Sequence, residues 1–227
     1  MKLFSLNEWR RILPIGKLEA VLILGLAVAV GALGLFAWLA DEVLEGGTIR
    51  FDSAIRDGVH QFASPGLTIS MQIITMFGSP KFLIASGICI MIAFLLAKWN
   101  RAAFLFAVTF LGAVALTETL KLSFRRTRPV PFFDTLLPVS YSFPSGHALW
   151  SFCFYGVIAA LISARVKSRA ICVAIWVLAA LLVLLIGLSR IYLGVHYPSD
   201  VTAGYAAALI WVLAVALGDH LFKRRQK

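Results

Sequence analysis

The chain has 227 residues, of which 60% are hydrophobic and 14% charged, and its mean hydropathy is +0.89. That leaves too little polar surface for a soluble globule and makes an integral membrane protein the expected class. A formal net charge of +10 would suit a nucleic-acid binder. The basic residues, however, cluster at the ends of apolar runs and form no aromatic-interleaved polar domain, which argues against nucleic acid as a partner.

Lys2, Arg10, Arg11 and Lys17 precede an apolar stretch from Ala20 to Ala40. This resembles a secretory signal, but the stretch is too long for a signal core and no A-x-A cleavage site follows, so it is read as an uncleaved first span. The next segment, Thr48 to Gly78, holds one apolar run, Ile69 to Phe77, which is too short to cross a bilayer and ends in Gly78-Ser79-Pro80. Interfacial helices are expected there. Five further spans are predicted: Pro80 to Ala97, Ala102 to Leu120, Ala148 to Ala164, Ala170 to Leu188, and Val201 to Gly218. The expected fold is all-α: a six-transmembrane-helix bundle with interfacial helices between spans one and two, forming a single membrane-embedded domain over residues 1–227. Cys89, Cys153 and Cys172 lie inside the apolar runs without metal-ligand spacing and read as small buried hydrophobes.

The positive-inside bias tests the count of six. The N-terminal tail, the Lys98/Arg101 turn, the Arg165/Lys167/Arg169 turn and the Lys223-Arg224-Arg225 tail fall on one side, while Asp41, Glu42 and Glu45 fall opposite. Both termini are therefore expected in the cytoplasm. The loop after span three, with Lys121, Arg125, Arg126 and Arg128, breaks the rule. It is the loop that would need cations to hold an anion.

Three short blocks emerge on that outer face. In the first, Lys121 and Arg128-Pro129, the guanidinium offers forked donors to phosphoryl oxygens and the ammonium a compact charge. Arg125 and Arg126 fit a snorkelling basic belt better. The second, Pro144-Ser145-Gly146-His147, precedes an apolar run and so places Ser145 and Gly146 at a helix N-terminus that favours an anion. His147 there is suited to move a proton. The third, Ser189-Arg190 followed by His196 and Asp200, sets a cation, an imidazole and a carboxylate in one loop. A carboxylate on one ring nitrogen would leave the other free to act as a nucleophile. That loop also reads as an interfacial turn, with Pro198, Ser199 and Asp200 opening span six and Tyr192 and Tyr197 in an aromatic belt. His60 and His220 lack such company, and Glu118, taken as buried, finds its expected partner in Lys121.

These blocks, K-x6-RP, PSGH and SR-x5-H-x3-D, resemble the signatures of the type 2 phosphatidic acid phosphatase family and match them without substitution between residues 121 and 200. The resemblance implies that His196 is the nucleophile and forms a phosphohistidine, that Asp200 orients it, and that His147 protonates the leaving oxygen. It further implies that Lys121, Arg128, Ser145, Gly146 and Arg190 hold the phosphoryl oxygens, with no metal or cofactor. The expected function is a lipid phosphatase at the periplasmic or extracellular face of the cell membrane, its partners being a lipid phosphate and the bilayer. Bacterial members hydrolyse undecaprenyl pyrophosphate, phosphatidylglycerophosphate or phosphatidic acid, a choice these residues leave open. The alternatives are a vanadate-dependent haloperoxidase-like enzyme, whose relatives are soluble, and a non-catalytic lipid-binding or transport protein. Ala27, Gly31 and Gly34 leave room for close helix contact, without defining an oligomeric state.

Overall fold

The computed structural model describes residues 15–133 and 139–225, so most of the predicted N-terminal basic tail lies outside the described residues. The described residues form α1 (Ile15–Glu45), α2 (Ile49–His60), α3 (Pro65–Met76), α4 (Pro80–Leu96), α5 (Asn100–Phe124), α6 (Gly146–Ser163), α7 (Arg169–Tyr192) and α8 (Pro198–Arg225). Local chemistry explains several starts. Ser64 and Ser79 each accept a hydrogen bond from the backbone three residues on, and each precedes a proline whose missing N–H is harmless at the first helical position. Ser168 caps α7 in the same way through Ile171 N.

α6 is the centre of the bundle and packs against α5, α7 and α8, while α1 lies along α8 and α3 along α7. Leu149, Cys153 and Phe154 on α6 are buried, and Phe154 meets Phe106 and Phe110 of α5 edge-on at ring separations of 5.5 and 5.4 Å. By contrast α7 exposes Ile171, Val173, Trp176, Val177, Leu181 and Leu184. Apolar residues turned outward along a whole helix are stable when the surrounding solvent is lipid. Cys153 is buried as predicted, whereas Cys89 joins the exposed face.

Five helices are individually long and apolar enough to cross a membrane, and α3 with α4, bent by 44° at their junction, brings the number to six if the pair is one span. This refines the predicted count. α4 alone has 17 residues, about 26 Å at helical rise, at the lower limit for crossing a ~30 Å hydrocarbon core. The run from Ile69 to Phe77 lies in α3 and at its C-terminus, the second of two short helices between α1 and α4, where short helices were expected. It packs along α7 through Met71 and Ile74, which lie in one apolar cluster with Tyr192, and through Thr75, whose Oγ1 accepts from Arg190 Nη1 at 2.8 Å.

The ends of the bundle differ in charge. At one end the Arg165 guanidinium lies 3.7 Å from the Trp99 ring centroid, Asp219 pairs with Arg101, and Lys223 reaches Asp219 at 2.9 Å. Three of the predicted basic clusters therefore do share an end. The other end collects the C-terminus of α5, the N-termini of α6 and α8 and the C-terminus of α7, and with them all three motif blocks.

Candidate active site

The inner face of the last turn of α5 carries Lys121, which is 6% exposed. The helix stops at Arg125, whose φ of 47° is left-handed and whose N–H bonds back to Lys121 O. From there the chain crosses the end of the bundle and lays Arg128 over the third block. Arg128 Nε donates to Ser140 O at 2.8 Å, Nη2 to Ser140 Oγ at 3.1 Å, and Nη1 to Val195 O at 3.0 Å. Lys121 Nζ donates to the same Ser140 Oγ at 3.2 Å. Ser140 thus joins the two cations of the first block.

The second block opens α6. Ser145 sits at the N-cap in an extended conformation, but its side chain makes no capping bond and its buried Oγ has no partner among the described residues. The first-turn N–H groups beyond it have no helical acceptor by construction, which leaves a hydroxyl and backbone donors together for an anion. Ser145 N is held by Asp200 O at 3.0 Å, which ties the second block to the third. His147 is packed from outside its own helix. A Cβ on Gly78, at the α3–α4 break, would meet Ile186 at 2.5 Å and the His147 ring at 3.3 Å, so only glycine lets the break approach so closely. Lys121, Arg128 and Arg190 are the cations that act on His147.

The third block ends α7 and begins α8. Arg190, buried, donates from Nη1 to Thr75 Oγ1 at 2.8 Å, and its Nε has no partner among the described residues. Gly194 turns the loop at φ +73°, with Phe132 N only 2.7 Å from where a Cβ would be. Asp200 accepts from Tyr197 N through Oδ2 at 2.9 Å, a reach from the third helical position back to the cap. The same oxygen lies 3.3 Å from His196 Nδ1 and accepts from Ser142 Oγ at 2.5 Å.

These contacts assign the imidazole. Arg128 has donors only, so its Nη1, 3.0 Å from His196 Nε2, must be donating to a ring lone pair. The ring proton is then on Nδ1, facing Asp200. Burial, reinforced by Arg128 and Arg190, pulls His196 down to about 4 against the opposing influence of Asp200. At neutral pH the ring is uncharged, with Nε2 turned toward the cations.

All eight predicted residues, Lys121, Arg128, Ser145, Gly146, His147, Arg190, His196 and Asp200, come together at this end. Other expectations change. Arg126 is not a belt residue: it is 10% exposed and ion-paired to both Asp52 and Asp200. Glu118 is exposed on the outer face of α5 and makes no hydrogen bond or ion pair with Lys121, which turns inward to Ser140. Tyr192 is buried against α3 instead of lying in a belt. Ser140, Ser142, Thr75 and Asp52 carried no local signal, because isolated polar residues declare a role only when folding brings a partner to them. Among the described residues no group of three or more His, Cys, Asp or Glu is placed to hold a metal ion.

The model of the PAP2 superfamily matches residues 101–222. The chain belongs to that superfamily. Phosphatidylglycerophosphatase B of Bacillus subtilis is 30% identical over 181 residues, covering 78% of this chain and 87% of the relative. An undecaprenyl-diphosphatase of Sulfolobus acidocaldarius is 34% identical over 103 residues, 43% of this chain and 46% of its own length. The crystal structure of a transmembrane PAP2-type phosphatidylglycerolphosphate phosphatase from Bacillus subtilis superposes with a TM-score of 0.79 at 28% identity, covering 86% of this chain and 98% of the other. The protein is a multi-pass membrane lipid phosphatase of this superfamily.

Proposed function

We propose that the protein hydrolyses the terminal phosphate of a lipid phosphomonoester or pyrophosphate through a phosphohistidine, at the outer face of the cell membrane and with both termini in the cytoplasm. The observation that carries this reading is the His196 ring, with Nδ1 toward Asp200 and Nε2 among cations. Lys121, Arg128, Arg190, the Ser145 hydroxyl and the Gly146 backbone hold the phosphoryl oxygens. Arg128 then moves its Nη1 bond from Nε2 to a phosphoryl oxygen, which frees the lone pair. Nε2 forms a bond to phosphorus, the bond from phosphorus to the lipid oxygen breaks, and His147 gives that oxygen a proton. Asp200 stabilises the positive charge on the ring. In the second step His147 takes a proton from water, the water oxygen bonds to phosphorus, and the phosphorus–nitrogen bond breaks to release inorganic phosphate. Charge developing in both steps is met by donors already in place and needs no metal ion.

The extensive similarity to phosphatidylglycerophosphatase B makes phosphatidylglycerophosphate the first substrate to test, with undecaprenyl pyrophosphate and phosphatidic acid beside it. Phosphate release by purified protein from these three, with and without EDTA, is expected to be unaffected by the chelator and abolished in His196→Ala. Parent-rate turnover by His196→Ala would overturn the mechanism. EDTA-sensitive turnover would overturn its metal independence.

A further inference from the structure

Asp52 lies on α2, outside every motif block, and is fully buried. Its Oδ1 accepts from Ser199 N at 2.9 Å, and its Oδ2 accepts from Ser199 Oγ at 2.6 Å and from Arg126 Nη2 at 2.7 Å. Arg126 divides its fork between two acids. Nη1 donates to Asp200 Oδ1 at 2.6 Å and to Ser199 Oγ at 2.7 Å, while Nη2 also reaches Thr48 Oγ1 at 2.9 Å. The guanidinium carbon lies 4.1 Å from the Tyr197 ring centroid. Asp200 is thereby held on both sides, Oδ1 by Arg126 and Oδ2 by Ser142, Tyr197 N and His196.

We propose that Arg126 and Asp52 are positioning residues for the reaction: a buried carboxylate–guanidinium–carboxylate relay that fixes the rotamer and charge of Asp200, and through it the tautomer and aim of His196. This rests on the reading of His196 as nucleophile. A guanidinium serving Asp52 alone would engage it bidentately, the preferred geometry of the pair; here each carboxylate receives one nitrogen. Two carboxylates this close in a dry pocket would otherwise repel, and one would take a proton. With Arg126 between them the group carries one net negative charge, which meets the positive charge that develops on the imidazole. A lysine has a single charged nitrogen and cannot span both acids with the same geometry.

The test uses full-length protein in detergent micelles with radiolabelled dioleoyl phosphatidic acid, comparing parent, Arg126→Lys, Asp52→Asn, the double variant and His196→Ala. Each single variant is expected to lower kcat by about ten- to a hundredfold, the range seen when the hydrogen-bond partner that orients a metal-bound imidazole is removed. KM and the inhibition constant of inorganic phosphate are expected to stay within about threefold, because neither residue touches the phosphate pocket. Phosphohistidine trapped by acid quench should form more slowly in step with kcat. The double variant should be no slower than Arg126→Lys, since both changes act through one link. Parent-like kcat in the single variants, a double loss equal to the product of the two, or phosphate affinity falling in step with kcat would each overturn the relay. If Arg126→Lys does not fold, Asp52→Asn, which keeps the side-chain shape and the Ser199 N–H bond, decides the matter through the kcat-against-KM split. Turnover by His196→Ala would instead overturn the underlying mechanism; an inactive His196→Ala beside parent-like relay variants would overturn the relay alone.

Discussion

A histidine proposed to attack phosphorus needs its lone pair free at working pH, and burial provides that for His196. With its proton affinity drawn from the usual 6.5 to about 4, mainly by desolvation, the ring is uncharged over the physiological range. The acid limb of kcat/KM assigned to His196 should therefore fall near pH 4, measured by phosphate release across pH. A limb at 6.5 that vanishes in no other variant would contradict this. The sign also fixes a stability effect. Between about 6.5 and 4 the unfolded chain binds a proton that the folded chain refuses, so stability declines as pH falls through that window. Ser140, which bonds both Lys121 and Arg128, acts on binding instead. Ser140→Ala is expected to weaken inorganic phosphate as an inhibitor by about five- to thirtyfold, at roughly 1 kcal/mol for each of one or both of its hydrogen bonds to the cations.

At the scale of the element, most helices were legible because apolar length and Ser-Pro starts are local properties. The exception is informative. Ile69 to Phe77 reads as too short to span, and so it is in isolation; folding sets α3 against α4 across a 44° bend and turns Met71, Ile74 and Thr75 toward α7. Nothing within the segment announces that Thr75 will meet Arg190. The loop between α7 and α8 depends on a single backbone conformation, Gly194 at φ +73° with Phe132 N against it. Gly194→Ala adds both left-handed strain and a clash with backbone. It is expected to destabilise the protein by about 1–3 kcal/mol, read as a lower unfolding temperature in detergent. Because His196 follows two residues later, kcat should fall with it.

Across the whole molecule, the basic turns collect at one end and the three blocks at the other, so the proposed orientation makes a labelling prediction. Val139 is exposed beside the site and Lys167 is exposed near the opposite end. In a background with Cys89, Cys153 and Cys172 replaced, Val139→Cys should react with an impermeant maleimide in intact cells. Lys167→Cys should react only after the membrane is opened. The reverse pattern would place the site in the cytoplasm.

The amino-acid sequence by itself determined the membrane class, the approximate spans and the three motif blocks with their eight candidate residues, because these depend on hydropathy, loop charge and motif spacing along the chain. Tertiary structure alone decided the His196 tautomer, the bridging role of Ser140 and the inward turn of Arg126 and Asp52. Those depend on partners far apart in sequence: Asp52 and Ser199 are separated by 147 positions. A buried charge pair is defined by the partner that folding brings to each charge, which is why Arg126 looked like one more cation in a basic loop.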